Sequence, residues 1–294
     1  MQNRVAAVAL AAAIAAAWTG VCHAYFENAL LSARTASLGG AFVALADDPS
    51  AAVDNPAGMA GIYAPSFLFT YQRPYGVAGL NEGFVAAVIP VRVVTLGAGW
   101  FHRGLDGALS EDRLTVSAAR DLKRTSEDAS LSVGVAVDVA RVSASAGFDD
   151  AATAVGAGAS VLLRPFAFIG IGYNARSLNQ PDIDLVAGGG VTALRREQAL
   201  GLSYYWQDRL TVTVETHESA DGSWRPRGGF ELQVSNHLAL RGGIDGTRAA
   251  AGFGAGWHGV ELDAAMRSHE TLGASYLLSV RYSRPRPEVP YGTR

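Results

Sequence analysis

Five histidines beyond the N-terminal stretch, His102, His217, His237, His258 and His269, are the imidazoles that could act as general bases, and Cys22 is the single thiol among the 294 residues. A serine or cysteine hydrolase needs a nucleophile set on a sharp turn with a histidine to take its proton. No such turn signature accompanies any of the five. Zinc sites need closely spaced histidines or cysteines, and no pair has that spacing, so neither a metal nor another cofactor is expected. The glycine runs GAGAS at 156–160 and GFGAGW at 252–257 look only superficially like phosphate-cradling loops. Glycines inside strands more often permit bends or close packing. The chain therefore reads as a non-enzyme.

A different chemistry is open to the charged residues. Glu215, His217, Glu231, Arg241, Glu261, Asp263, Arg267 and Arg281, with Asp138 and Asp245, fall on one side of segments whose other side is apolar. Both signs are mixed along that side, which suits ion-pair ladders stiffening a wet interior better than a filter for one ion. The elements that must carry them follow from the pattern. Val212, Val214 and Thr216 alternate with Thr211, Thr213, Glu215 and His217; Phe230, Leu232 and Val234 alternate with Glu231 and Gln233. Val260–Arg267 and Ser275–Tyr282 repeat the alternation. A period of two is the mark of a strand with an apolar and a polar face.

These strands belong to a membrane barrel rather than a soluble sandwich. They run to about ten residues, the length of a tilted membrane crossing, where soluble strands average about five or six. Tyr71, Trp100, Phe101, Tyr204, Tyr205, Trp206, Trp257 and Tyr282 recur near strand ends, as interfacial girdles require. Tight turns, such as Pro90–Arg92 and His258–Gly259, alternate with longer connections at 74–82, 104–111, 144–150, 177–194 and 219–226. The pattern predicts fourteen spans between residues 65 and 282, with 184–194 read as a loop over or into the barrel mouth, because counting it would make the number odd. Composition agrees. Only 17% of residues are charged, 49% are hydrophobic and 34 are glycine, yet no stretch after the N-terminus reaches the roughly 18 apolar residues of a spanning helix. A net charge of −3 gives no electrostatic reason to expect nucleic acid.

The N-terminus places the protein outside the cytoplasm. Met1–Arg4 carries a positive charge, Val5–Trp18 is almost wholly apolar, and the small Ala24 follows, the order of a secretory signal with cleavage after Ala24. A lipid-bearing Cys22 is the alternative, for which Val21 is a poor preceding residue. The expected organisation is a signal at 1–24, a plug at 25–62, an antiparallel barrel at 63–283 and a tail at 284–294 whose prolines and arginines exclude a strand.

The plug segment contains Gly39–Asp48, GGAFVALADD, followed by Asn55–Pro56–Ala57–Gly58. Gly39 and Gly40 allow backbone geometry and close approach that a Cβ obstructs. Asp47 and Asp48 precede Pro49 as a helix-start signal, and Asn55–Pro56 forms a second turn. These residues serve to position a plug. Their order resembles the N-terminal hatch of the FadL/TodX superfamily of outer-membrane barrels, and within it the shorter PorV/PorQ-like branch.

The resemblance implies a fourteen-stranded barrel in the outer membrane of a Gram-negative bacterium, with periplasmic termini and the hatch inside the lumen. It implies passive passage of small hydrophobic compounds, gated by the hatch along a path opening laterally through the wall into outer-membrane lipid. The PorV-like branch implies an alternative, a non-enzymatic adaptor that carries exported proteins for a secretion system. The connections are shorter than those of the long-chain fatty-acid transporters, which removes the loops that would build a hydrophobic capture groove.

Overall fold

A computed structural model describes residues 26, 30–124, 129–145, 150–183, 192–207, 209–218 and 222–284. The signal region, Cys22 and the tail from 285 onward lie outside the described residues. The wall is a closed antiparallel barrel of fourteen strands: β1 (Ser66–Arg73), β2 (Leu80–Val91), β3 (Val94–Leu105), β4 (Leu109–Arg124), β5 (Ser130–Ala144), β6 (Asp150–Phe166), β7 (Ile169–Arg176), β10 (Glu197–Trp206), β11 (Leu210–Glu218), β12 (Trp224–Ser235), β13 (Leu238–Asp245), β14 (Arg248–Trp257), β15 (Val260–His269) and β16 (Gly273–Ser283). Each strand pairs with its sequence neighbour, and β1 closes the ring on β16, Ser66 opposite Ser283 and Arg73 opposite Tyr276. Closure leaves no edge, the condition for a sheet in hydrocarbon.

Two short strands stand apart. β8 (Asp182–Ile183) and β9 (Thr192–Ala193) pair with each other and not with the wall, so the connection after β7 adds no span. Ile183 and Leu194 are buried in an apolar cluster inside the barrel. The described ends of that connection therefore turn inward, and residues 184–191 lie outside the described residues.

The connections depart from the expected alternation of tight and long. β13 and β14 are joined by Gly246 and Thr247 alone, β3 and β4 by 106–108, and β15 and β16 by 270–272, all at the end of the barrel away from the termini. The strands run further than the period-two pattern predicts: Leu109, Ser110 and Glu111, expected in the connection at 104–111, stand in the ladder opposite Leu105, Gly104 and Arg103, so two charges, Arg103 and Glu111, face each other there. Inward positions tolerate them where they pair.

Alternation sorts the faces. Phe67, Phe69, Tyr71, Trp100, Trp206, Trp257 and Tyr282 point outward and are exposed, a lipid-facing band with aromatic ends in an outer-membrane type of barrel. Phe101 departs from the expected girdle. It faces the lumen and is 4% exposed, since Trp100 takes the outward position and neighbours in a strand alternate. Tyr205 is half-buried and packs on the apolar cluster of the N-terminal segment.

That segment fills the lumen. α1 (Ala33–Ser37) starts at Ser32, whose hydroxyl accepts from the Thr35 N–H as an N-cap. α2 (Ala51–Asp54) follows, then a 3-10 turn at Pro56–Gly61 that begins at Asn55, whose side chain accepts from the Ala57 N–H. Asp48 Oδ1 accepts from both the N–H and the hydroxyl of Ser50, so the carboxylate shapes the turn into α2 while Ser50 makes no side-chain cap. Leu38, Phe42, Leu45, Ala51, Ala52 and Met59 are fully buried with Val88 and Ala119 of the wall.

Candidate functional site: the plugged lumen

The plug is built from small residues because the wall carries glycines where the two meet. Gly170 and Gly172 on β7 leave room for the backbone of Val43 and Ala44, Gly201 on β10 for the Val43 side chain, and Gly97 and Gly134 on β3 and β5 for Met59 and Pro56. Within the plug, Gly39 (φ +67) lies against the Ile244 backbone, and Gly58 lies against the Ala46 carbonyl. A Cβ at either would fall inside contact distance of main-chain atoms that cannot move aside.

Backbone groups that a burial this deep would orphan are met by wall side chains, as accounting for main-chain polar groups demands. Glu215 accepts from the Phe42 and Val43 N–H at 2.9 and 2.8 Å. Ser160 accepts from the Ala57 N–H and Ser279 from the Ala33 N–H. Arg164, Asn174, Ser203 and Arg227 donate to the carbonyls of Leu45, Asp54, Ala44 and Gly40. Asn55 donates to the Val43 carbonyl at 2.6 Å. His217 accepts from Arg227 Nε at 2.8 Å, so it steadies the arginine that holds Gly40.

Arg34 is the residue that joins plug to wall by charge. It bridges Asp47 (2.5 Å) and Asp48 (3.4 Å) within the plug and Glu231 of β12 at 2.8 Å. Glu231 in turn binds Arg241 at 2.5 Å, Arg241 reaches Glu261 at 3.1 Å and also Asp263, and Glu261 binds Arg281. One continuous ladder thus runs from the plug's acidic turn across β12, β13, β15 and β16. Arg267 lies outside it, near the far mouth, paired with Asp245 at 2.5 Å. Arg34 was missed in the sequence, although it is the single basic residue between Tyr25 and Ile62 and sits thirteen positions before an Asp-Asp pair.

Both sides of the lumen carry charge, β12 to β16 through this ladder and β2 to β5 through Arg103 with Glu82 and Glu111. Beside the second group, Leu68, Phe84, Ala86, Phe101, Val142 and Ala154 of β1 to β6 form an apolar cluster with Leu31, Val53, Ile183 and Leu194. Phe26 completes it, its N–H donating to Glu111 at 3.0 Å and its ring lying 4.5 Å from the Arg113 guanidinium. Behind this patch, on the lipid side, is an apolar furrow of about 560 Å³ flanked by Phe67, Phe69, Trp100 and Leu114. The hydrogen-bonded ladders from β1 through β4 show no register shift there, so the wall is closed at the furrow.

Asp54 is the strained group of the plug. Its Oδ2 is buried with no hydrogen-bond partner among the described residues, and burial pushes the carboxyl up to about 7 against the pull of Arg176. A carboxyl raised above its unfolded value, about 3.9, supports the docked plug while protonated. That support is full below about pH 4 and is lost as pH rises through about 7. Proteolysis of the plug in the folded barrel is expected to be faster at pH 8 than at pH 5.5, and Asp54→Asn is expected to remove the difference. A pH difference retained in the variant refutes the assignment.

No family model matches the chain, and no curated protein does. Solved structures do. A FadL homologue of Pseudomonas aeruginosa is 14% identical, with a TM-score of 0.61 over 88% of this chain and 99% of the other. The toluene transporter TodX of Pseudomonas putida is 13% identical, TM-score 0.63, over 88% and 99%, and the toluene transporter TbuX of Ralstonia pickettii is 12% identical, TM-score 0.61, over 86% and 98%. The chain shares the fold of these transport barrels.

Proposed function

We propose that this protein is a passive outer-membrane channel for small hydrophobic compounds, closed at rest by residues 25–62, with both termini in the periplasm. The observation that carries the reading is the apolar cluster inside the wall: Leu68, Phe84, Phe101, Val142 and Ala154 pack on Leu31 and Val53 of the plug, so displacing the plug uncovers an apolar lining. A pore for polar solutes would have little use for that patch, which disfavours water. The barrels of like fold named as toluene transporters support the same solute class. On this reading Gly39, Gly40, Asp47, Asp48, Asn55, Pro56, Ala57 and Gly58 hold the gate shut, and the lumen-facing charges are its seat. The unbroken wall beside the furrow means that a solute leaves the patch only when the plug shifts or neighbouring strands part. Nothing among the described residues favours the PorV-like adaptor role, whose sign would be an exported protein co-purifying with the native barrel.

Proteoliposome uptake tests the proposal. The intact barrel is expected to admit toluene while excluding a polar solute of similar size, and deletion of 25–62 is expected to admit both. Equal and negligible uptake by the two forms overturns it.

A further inference from the structure

At the far mouth a second, smaller pocket of about 210 Å³ opens between the ends of β1, β2, β14 and β15. Its volume suits one aromatic ring, since an engineered cavity of about 150 Å³ holds benzene. One part is apolar, with Leu30, Leu80 and the ring of Tyr75, which stands edge-on to His269 at 5.3 Å. Tyr75 holds a left-handed backbone (φ +55), fixed by its N–H donating to Ser275, a conformation that a side chain of this size adopts only where its surroundings impose it.

The other part has three guanidinium groups, of Arg103, Arg248 and Arg267, against one carboxylate, Glu82. Arg103, Glu82 and Gln72 satisfy one another. Arg248 does not share in this. Its cross-strand partner Asp245 is taken by Arg267, and Arg248 forms no ion pair among the described residues. Arg267, although paired through Nη2, leaves its buried Nε without a hydrogen bond. Guanidinium nitrogens donate and never accept, so the partner Arg248 lacks is an acceptor, and a carboxylate binds guanidinium more strongly than a neutral hydroxyl does.

We propose that this mouth pocket is a recognition site for a single-ring aromatic carboxylate, its ring against Tyr75 and His269 and its carboxylate on Arg248 and Arg267. The site rests on the channel reading for its purpose, as the first stop of a solute before the apolar patch. It extends that reading from hydrocarbons to ring compounds bearing one acid group.

Calorimetric titration of the full-length barrel in detergent with sodium benzoate, toluene and inorganic phosphate tests it. Benzoate is expected to bind, phosphate not to bind, and Arg248→Gln to weaken benzoate about tenfold, the loss of one charge-assisted hydrogen bond. Tyr75→Leu, which keeps an apolar side chain, is expected to weaken benzoate and to leave the charge contribution of Arg248 in place. Absence of benzoate binding, phosphate binding as tight as benzoate, or benzoate affinity unchanged in Arg248→Gln overturns the proposal. Toluene uptake in liposomes reads the channel separately: uptake with no benzoate binding refutes the pocket alone, and benzoate binding with no uptake in either form refutes the channel alone.

Discussion

Arg34→Ala is expected to release the plug. The substitution leaves Asp48 buried and Glu231 with one guanidinium in place of two, and breaking a buried ion pair from one side costs about 3–5 kcal/mol because the remaining charge has neither water nor partner. The side chain of Arg34 is 8% exposed, so little of that cost is screened. The barrel itself should persist, since its ladders do not involve Arg34. The expected result is rapid protease cleavage between residues 30 and 62, with polar-solute uptake close to that of the deletion, while resistance of the wall to unfolding in detergent is retained. Arg34→Ala combined with Glu231→Gln should be less damaging than the sum of the two, because the double change removes the charge that the first stranded. A plug as protected as the wild type in Arg34→Ala refutes the anchoring role.

Gly39→Val is expected to be as severe by an unrelated route. Gly39 needs φ near +67, which a β-branched residue reaches only at a cost of about 1–3 kcal/mol. A Cβ there would also collide with the backbone of Ile244, and Gly243 on the same strand is equally close to Leu38 and Gly39. Main-chain atoms of a closed barrel do not yield, so overpacking adds about 1–3 kcal/mol more. Protection of the plug should fall as in Arg34→Ala, but Glu231→Gln should not soften the loss as it does there, because no charge has been stranded. Undiminished protection in Gly39→Val would refute the close-packed docking of this turn.

The two substitutions differ in how readable they were. Gly39 and Gly40 stood out in the sequence as positions of backbone freedom, and the neighbouring Asp-Asp and Asn-Pro turns could be read locally, because capping and turn chemistry act over three or four residues. The strand count was legible for a similar reason. Each strand writes its own period of two, and closure in lipid requires the strands to be paired all round. Arg34 was not legible in its role, since its meaning depends on Glu231, 197 positions away. Phe101 was misread as girdle because adjacent aromatics in a strand face opposite ways and the sequence alone does not say which is inside. The β3–β4 connection is shorter than the 104–111 expected from the sequence, because Glu111 meets Arg103 across the ladder instead of meeting water.

Sequence alone therefore determined the fold class: non-helical, a wall of alternating strands that follows a small-residue segment, all properties carried by neighbours along the chain. Tertiary structure alone decided which inward charges share a ladder, that Arg34 ties plug to wall, that an apolar cluster of β1 to β6 packs on the plug, and that Arg248 is left without its acid. The physical reason is common to these. Pairing of charges and packing of apolar groups act through space over a few ångströms, and a closed barrel brings within that range residues that lie up to two hundred positions apart.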